Sequence, residues 1–125
     1  MSSSLFNVAF DCHDPGALAR FWSRVVGHPV AFDDGDFATV DIPGGSNLFF
    51  QRVDEPKRGK NRVHVCLSPD LLRDTEVGRL TELGATMVAD HREPDGAGWA
   101  VMSDPEGNEF CVLRSEAERA AAHGG

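Results

Sequence analysis

Apolar residues alternate with polar or small ones at Phe6, Val8 and Phe10, the period-two pattern of a strand with one buried face. Asp14-Pro15 reads as a helix start, an oxygen cap followed by a ring that suits the first turn. Leu18, Phe21, Trp22 and Val25 follow at helical spacing, and Gly27 closes the helix where the chain must turn left-handed. Strands are predicted near 29–33, 37–42 and 47–52, with Pro43-Gly44-Gly45 turning between the last two. The order then recurs. A strand at 62–67 leads to a helix from about 70 to 83, with Val77, Leu80 and Leu83 inward and Gly84 as its stop, and strands follow near 86–89, 99–103 and 108–113. Ser115 and Glu118 have capping-box spacing, so 115–123 is expected to be a short end helix facing solvent.

The recurrence is a diverged internal repeat. Leu5 to Val30 matches Arg62 to Met87 at an offset of 57, and Phe37 to Phe50 matches Trp99 to Val112 at an offset of 62. In the first block Gly27 falls on Gly84; in the second Phe37 falls on Trp99, Pro43 on Pro105 and Gly45 on Gly107. The five residues gained lie within Asp90–Gly98, a turn-rich stretch expected to be a surface loop. The fold class is therefore α+β, built from two tandem βαβββ modules. Module one spans about 5–52, a polar linker 53–61, module two about 62–114 and the end helix 115–123, all within a single domain over 1–125.

With 125 residues, 41% hydrophobic and 26% charged, the chain can bury a real core. A net charge of -8 with scattered Lys and Arg argues against nucleic acid and against acidic membrane surfaces as partners. Met1-Ser2-Ser3-Ser4 carries no basic residue and is not read as a signal peptide. Three cysteines, Cys12, Cys66 and Cys111, are few and odd in number, so free thiols and a cytoplasmic location are expected.

Asp104-Pro105-Glu106-Gly107-Asn108-Glu109-Phe110 is similar to the DP-[DE]-G-N turn that precedes the last strand in the vicinal-oxygen-chelate superfamily of glyoxalase I, extradiol dioxygenases and bleomycin-resistance proteins. Asp14 with Phe21-Trp22 and Gly27 resembles that superfamily's first-helix pattern, and Leu83-Gly84-Ala85 its second-helix ending. More narrowly, the Gln51-Arg52-Val53 and Asn108–Leu113 strings resemble the small glyoxalase-like domains common in actinobacteria. The resemblance covers about residues 5–114. It implies the glyoxalase/bleomycin-resistance fold, whose two modules curl a mixed sheet into a shared cup for a small molecule, and a homodimer.

The resemblance also implies a metal site, with one ligand from the first and one from the last strand of each module. Carried over singly, these positions are Asn7, Phe49 with Gln51 next on the same face, His64 and Cys111. Only His64 is a good ligand for a hard or borderline ion. Strand parity turns Asn7 away from Phe6, Val8 and Phe10, His64 away from Val63, Val65 and Leu67, and Cys111 away from Phe110 and Val112.

The metal set is thus degenerate at Asn7, His64 and Cys111, and no cofactor is expected. The lesser alternative is a divalent metal, as zinc on His64, Cys66 and Cys111. It lacks the usual close-spaced cysteine pair, and free cysteines are common buried apolar residues. Without metal, His64 is the candidate general base and Cys111 the candidate nucleophile. Trp99 and Phe49 are candidate flat surfaces for a ligand, Phe37 is preferred as core, and the loop 91–98 is a candidate lid.

The leading expectation is a protein that binds a small, partly aromatic molecule in a cup formed by Asn7, Phe49, Gln51, His64, Trp99 and Cys111. The alternatives are a lyase, isomerase or dioxygenase with a degenerate site, and an antibiotic-sequestering resistance protein.

Overall fold

The computed structural model describes residues 1–70 and 72–124. Its backbone forms two compact units, one ending at Arg58 and the other beginning at Gly59.

The first unit contains β1 (Asn7–Cys12), α1 (Pro15–Val26), β2 (Val30–Asp33), β3 (Phe37–Val40) and β4 (Asn47–Arg52). The sheet order is β1-β4-β3-β2, with β1 and β4 parallel and the other neighbours antiparallel. Asp14 caps α1 by accepting a hydrogen bond from the Ala17 amide at 3.1 Å, and Gly27 ends it at φ 75°. The buried face of α1 carries Leu18, Phe21, Trp22 and Val25, as its spacing predicts. Trp22 meets Phe10 of β1 at 5.3 Å between ring centroids, and Phe10 meets Phe50 of β4 at 5.1 Å.

The second unit contains β5 (Val65–Leu67), α2 (Arg73–Leu83), β6 (Thr86–Asp90), β7 (Ala100–Ser103), β8 (Glu109–Val112) and α3 (Glu116–Gly124). Its sheet order is β5-β8-β7-β6, again with one parallel pair, β5 and β8. Leu80, Ala100, Met102, Phe110 and Val112 are fully buried here.

Strand register bears out the repeat at single-residue level. Adding 57 to Val8 and 62 to its partner Leu48 gives the registered pair Val65 and Phe110. The same shifts turn Val30/Val40 into Met87/Met102 and Phe32/Thr39 into Ala89/Val101. Even the bulge is kept, between Val30 and Phe32 in one sheet and between Met87 and Ala89 in the other. The offset changes between β6 and β7, where the sequence places the insertion.

Two expected core residues are exposed. Phe6 and Val63, each 84% accessible, precede the first residues of β1 and β5 and so lie beyond the ladders that would have fixed their faces. The helix expected from about 70 begins at Arg73. Its N-cap, Leu72, makes no side-chain cap hydrogen bond; instead the Arg73 amide donates to the Glu118 carboxylate at 2.8 Å. Leu83 is only half-buried.

The first turn of α3 is not the solvated end expected from its terminal position. Ser115 is buried, its amide donates to Glu118 Oε1 at 2.9 Å, and its hydroxyl oxygen accepts from the Glu118 amide at 3.0 Å. Glu118 therefore caps two helices at once. These amides, Ser115 first and then Arg73, hold its carboxyl below the ordinary 4.5. A depressed folded-state pKa adds stability that is present above the ordinary value and lost as pH falls through the folded one. Urea unfolding should therefore show stability falling as pH drops below about 5, with a shallower fall in Glu118→Gln.

Candidate functional site

In the second unit, Cys66, Cys111 and Val101 form a registered row across β5, β8 and β7. Their neighbours along the strands, Phe110, Val112, Ala100 and Met102, point to the other face and are fully buried. The Cys66 row belongs to a concavity of about 390 Å³, lined also by Lys60, His64, His91, Trp99, Glu109 and Leu113. That is the small end of the range for ligand pockets and suits a molecule of one or two rings.

His64 stands just before β5 rather than within it. The chain leading to it is held by a side chain: the Asn61 amide donates to Glu109 Oε1 at 3.1 Å. Glu109 also faces Lys60, with Nζ 3.9 Å from Oε2. One ligand atom each from His64, Cys66 and Cys111 lies within 4.8 Å of the others. Burial pushes the Cys111 thiol up, and the neighbouring Cys66 sulfur adds to the shift. That is the opposite of the depression by His64 that a Cys111 nucleophile requires.

Trp99 and His91 form the far wall, their rings 4.9 Å apart at 38°. The His91 amide donates to the Trp99 carbonyl at 2.9 Å. Asp34 and Phe37, the equivalent positions in the first unit, close their shorter turn with the same bond at 3.1 Å. The inserted residues thus hang on an inherited closure, which places His91 opposite Trp99. The loop is also tied down. Arg73 is only 3% accessible, and its guanidinium donates to the carbonyls of Gly96, Ala97 and Gly98 at 3.0–3.1 Å. No side chain fits at Gly98, where a Cβ would lie 1.9 Å from the His91 carbonyl oxygen.

Of the candidate cup residues, His64, Trp99 and Cys111 line this one concavity. Asn7, Phe49 and Gln51 belong to the first unit. There Phe49 pairs in register with Ala9 and Thr39, and Gln51 with Asp11 and Phe37. Phe37, expected as core, is exposed and meets Phe49 at 5.5 Å between centroids, because it shares the face of Gln51 rather than that of buried Ala38. The sequence marks Cys66 only as a zinc ligand and His91 only as part of the lid loop, and it does not mark Lys60 or Glu109 as site residues. The repeat offsets point to His91 through Asp34, and strand parity with Cys111 points to Glu109.

The sequence profile of the glyoxalase-like domain matches residues 7–113. The chain belongs to the glyoxalase-like domain family. Among solved structures it is similar to Oxidase ChaP-H2, at 30% identity over 91% of this chain and 94% of that one, with a TM-score of 0.59. It shares its fold with a glyoxalase/bleomycin resistance protein/dioxygenase family enzyme from Burkholderia phytofirmans PsJN (20% identity, 88% and 97% coverage, TM-score 0.69). A glyoxalase/bleomycin resistance protein/dioxygenase from Nocardioides gives 20% identity, 93% and 86% coverage, and a TM-score of 0.68. Comparison with curated proteins gives no significant match.

In this chain the Asp104–Asn108 turn has a structural task. Asp104 is buried, and its Oδ1 accepts from the amides of Glu106 and Asn108 at 2.9 Å each. The Asn108 side-chain amide bonds both carboxylate oxygens, at 3.2 and 3.0 Å. The metal that the superfamily implies does not fit its four inherited positions. Phe49 has no donor and is committed to Phe37, Asn7 and Gln51 offer amides, and only His64 and Cys111 carry strong ligand atoms.

Proposed function

We propose that this glyoxalase-like protein binds a small planar molecule in the concavity of its second unit, without the four-position metal set of its superfamily. The observation that carries the reading is the ring pair His91–Trp99, in contact at a tilt of 38° and facing a mixed polar and apolar pocket. Trp99 is 43% accessible although large and aromatic, and the closure at His91 and the Arg73 clamp hold it there in advance of any ligand. Preorganised aromatic surface of this kind binds flat rings at low entropic cost. Val101 and Leu113 supply apolar contact, while Lys60, His64 and Glu109 supply charge and hydrogen bonds around it.

Naphthalene-2-carboxylate is a suitable probe, with two rings for Trp99 and an anion for Lys60. Trp99→Ala is expected to weaken its binding roughly tenfold or more, since stacking on an aromatic side chain contributes about 1–3 kcal/mol. Isothermal titration checks this, and equal affinity in the variant would remove Trp99 from the site.

The likeness to Oxidase ChaP-H2 favours a second reading, an enzyme in which His64 acts as general base on a bound substrate. In that case His64→Ala abolishes turnover while leaving the circular dichroism spectrum unchanged. Retained turnover would exclude His64 from the chemistry.

A further inference from the structure

We infer that His64, Cys66 and Cys111 form a binding site for a single thiophilic metal ion, with Zn²⁺ the best fit, contained wholly within the second unit. The site uses two of the four inherited positions, His64 and Cys111, replaces the other two with the single thiol of Cys66, and does not depend on the planar-ligand reading. Its basis is the side-chain cluster itself, an imidazole nitrogen and two sulfurs all within 4.8 Å of one another. Zinc–sulfur bonds of about 2.3 Å and zinc–nitrogen bonds of about 2.0 Å place tetrahedral ligand atoms about 3.8 Å apart for two sulfurs and about 3.5 Å for sulfur and nitrogen. Side-chain rotations that close the gap from at most 4.8 Å would bring the ligand atoms to those values. His64 and Cys66 are exposed and free to make them, while buried Cys111 is the fixed anchor.

Strand pairing supplies what the missing close-spaced cysteine pair would have supplied. A close-spaced cysteine pair brings two thiols together through a tight turn. Here Cys66 and Cys111 are directly registered on parallel neighbours β5 and β8, so the sheet does that work across a long stretch of sequence. The two sulfurs lie within 4.8 Å of each other. Binding breaks two S–H bonds, releases both protons to solvent and forms two metal–sulfur bonds and one metal–nitrogen bond, with no change of oxidation state. The two thiolates neutralise the dication. The donor set selects against Mg²⁺ and Ca²⁺, which require oxygen ligands. Three protein ligands leave the fourth position to water or to an incoming donor atom, on the side of the concavity that Trp99, His91 and Glu109 line.

The test uses the tag-free, reduced full-length protein titrated with Co²⁺ as a spectroscopic stand-in for Zn²⁺. One equivalent should develop thiolate-to-cobalt charge-transfer absorption together with visible bands of tetrahedral intensity, and Zn²⁺ should displace it. Cys66→Ser, at an exposed position that leaves the fold intact by circular dichroism, should weaken binding by roughly tenfold or more and diminish the charge-transfer band. His64→Ala should weaken binding without removing the band. Trp99→Ala should leave metal binding unchanged, which separates this site from the planar-ligand reading. Absence of charge-transfer absorption at one equivalent, or wild-type affinity in Cys66→Ser, would overturn the proposal.

Discussion

Arg73→Met lowers the stability of the second unit by about 3 kcal/mol and loosens the wall of the candidate site. The guanidinium is almost fully buried, and one nitrogen serves the carbonyls of Gly96, Ala97 and Gly98. Methionine keeps much of the stem's volume but offers no donor. Those carbonyls then lose a charge-assisted partner, at about 1.5–3 kcal/mol for a hydrogen bond to a charged group. Arg73 also bonds Asp74, the first cause of that carboxyl lying below its ordinary value, but Asp74 is largely exposed and adds little. Arg73→Lys should recover only part of the loss, because an ammonium cannot reproduce the planar fork. Urea denaturation reports the stability. Hydrogen exchange at the Glu93 and Ala97 amides, bonded to the Ala97 carbonyl and the Asp95 carboxylate, reports the loop. If Arg73→Met unfolds at the wild-type midpoint with unchanged exchange at these amides, the guanidinium does not hold the loop.

Asp104→Ala should cost a similar amount, about 3 kcal/mol, for a different reason. Its carboxylate gathers the Glu106 amide, the Asn108 amide and the Asn108 side chain into one turn, while its own amide donates to the Asn108 carbonyl at 2.8 Å. Gly107, at φ 88°, donates to the Asp104 carbonyl at 2.9 Å and completes the reversal that starts β8. Alanine leaves these donors without their shared acceptor. Asp104→Asn keeps one oxygen but sets an amide against the Asn108 amide, and about half the loss is expected. Because β8 carries Glu109 and Cys111, the variant should also weaken ligand binding. A thermal midpoint equal to wild type in Asp104→Ala would show the motif to be dispensable for the fold.

The elements were legible because local pattern and repeat agreed. Gly27 and Gly84, Phe37 and Trp99, and the turn residues kept their order, and strand pairing kept the same offsets through both bulges. Phe6 and Val63 share the alternation of the strands they precede yet are exposed, because a period-two pattern carries no mark of where a ladder ends. The helix start at Arg73 escaped because its cap, Glu118, comes from a distant part of the chain.

The site was legible in part. Parity placed Cys111 opposite Phe110 and Val112, and Trp99 stood out beside the insertion. Arg73 did not, since a buried arginine that binds backbone carbonyls leaves no local signature. The nearness of Cys66 to Cys111 depends on a parallel pairing register that no spacing rule contains.

The central claim is that a planar ligand docks at Trp99 in the second unit. The most direct measurement is a two-dimensional amide and indole NMR titration with naphthalene-2-carboxylate. The account predicts saturable shifts of the Trp99 indole and of the His64, Val101 and Cys111 amides, with the buried Trp22 indole unmoved. Saturable shifts centred on Phe37, Phe49 and Gln51, or no saturable shift at Trp99, would contradict it.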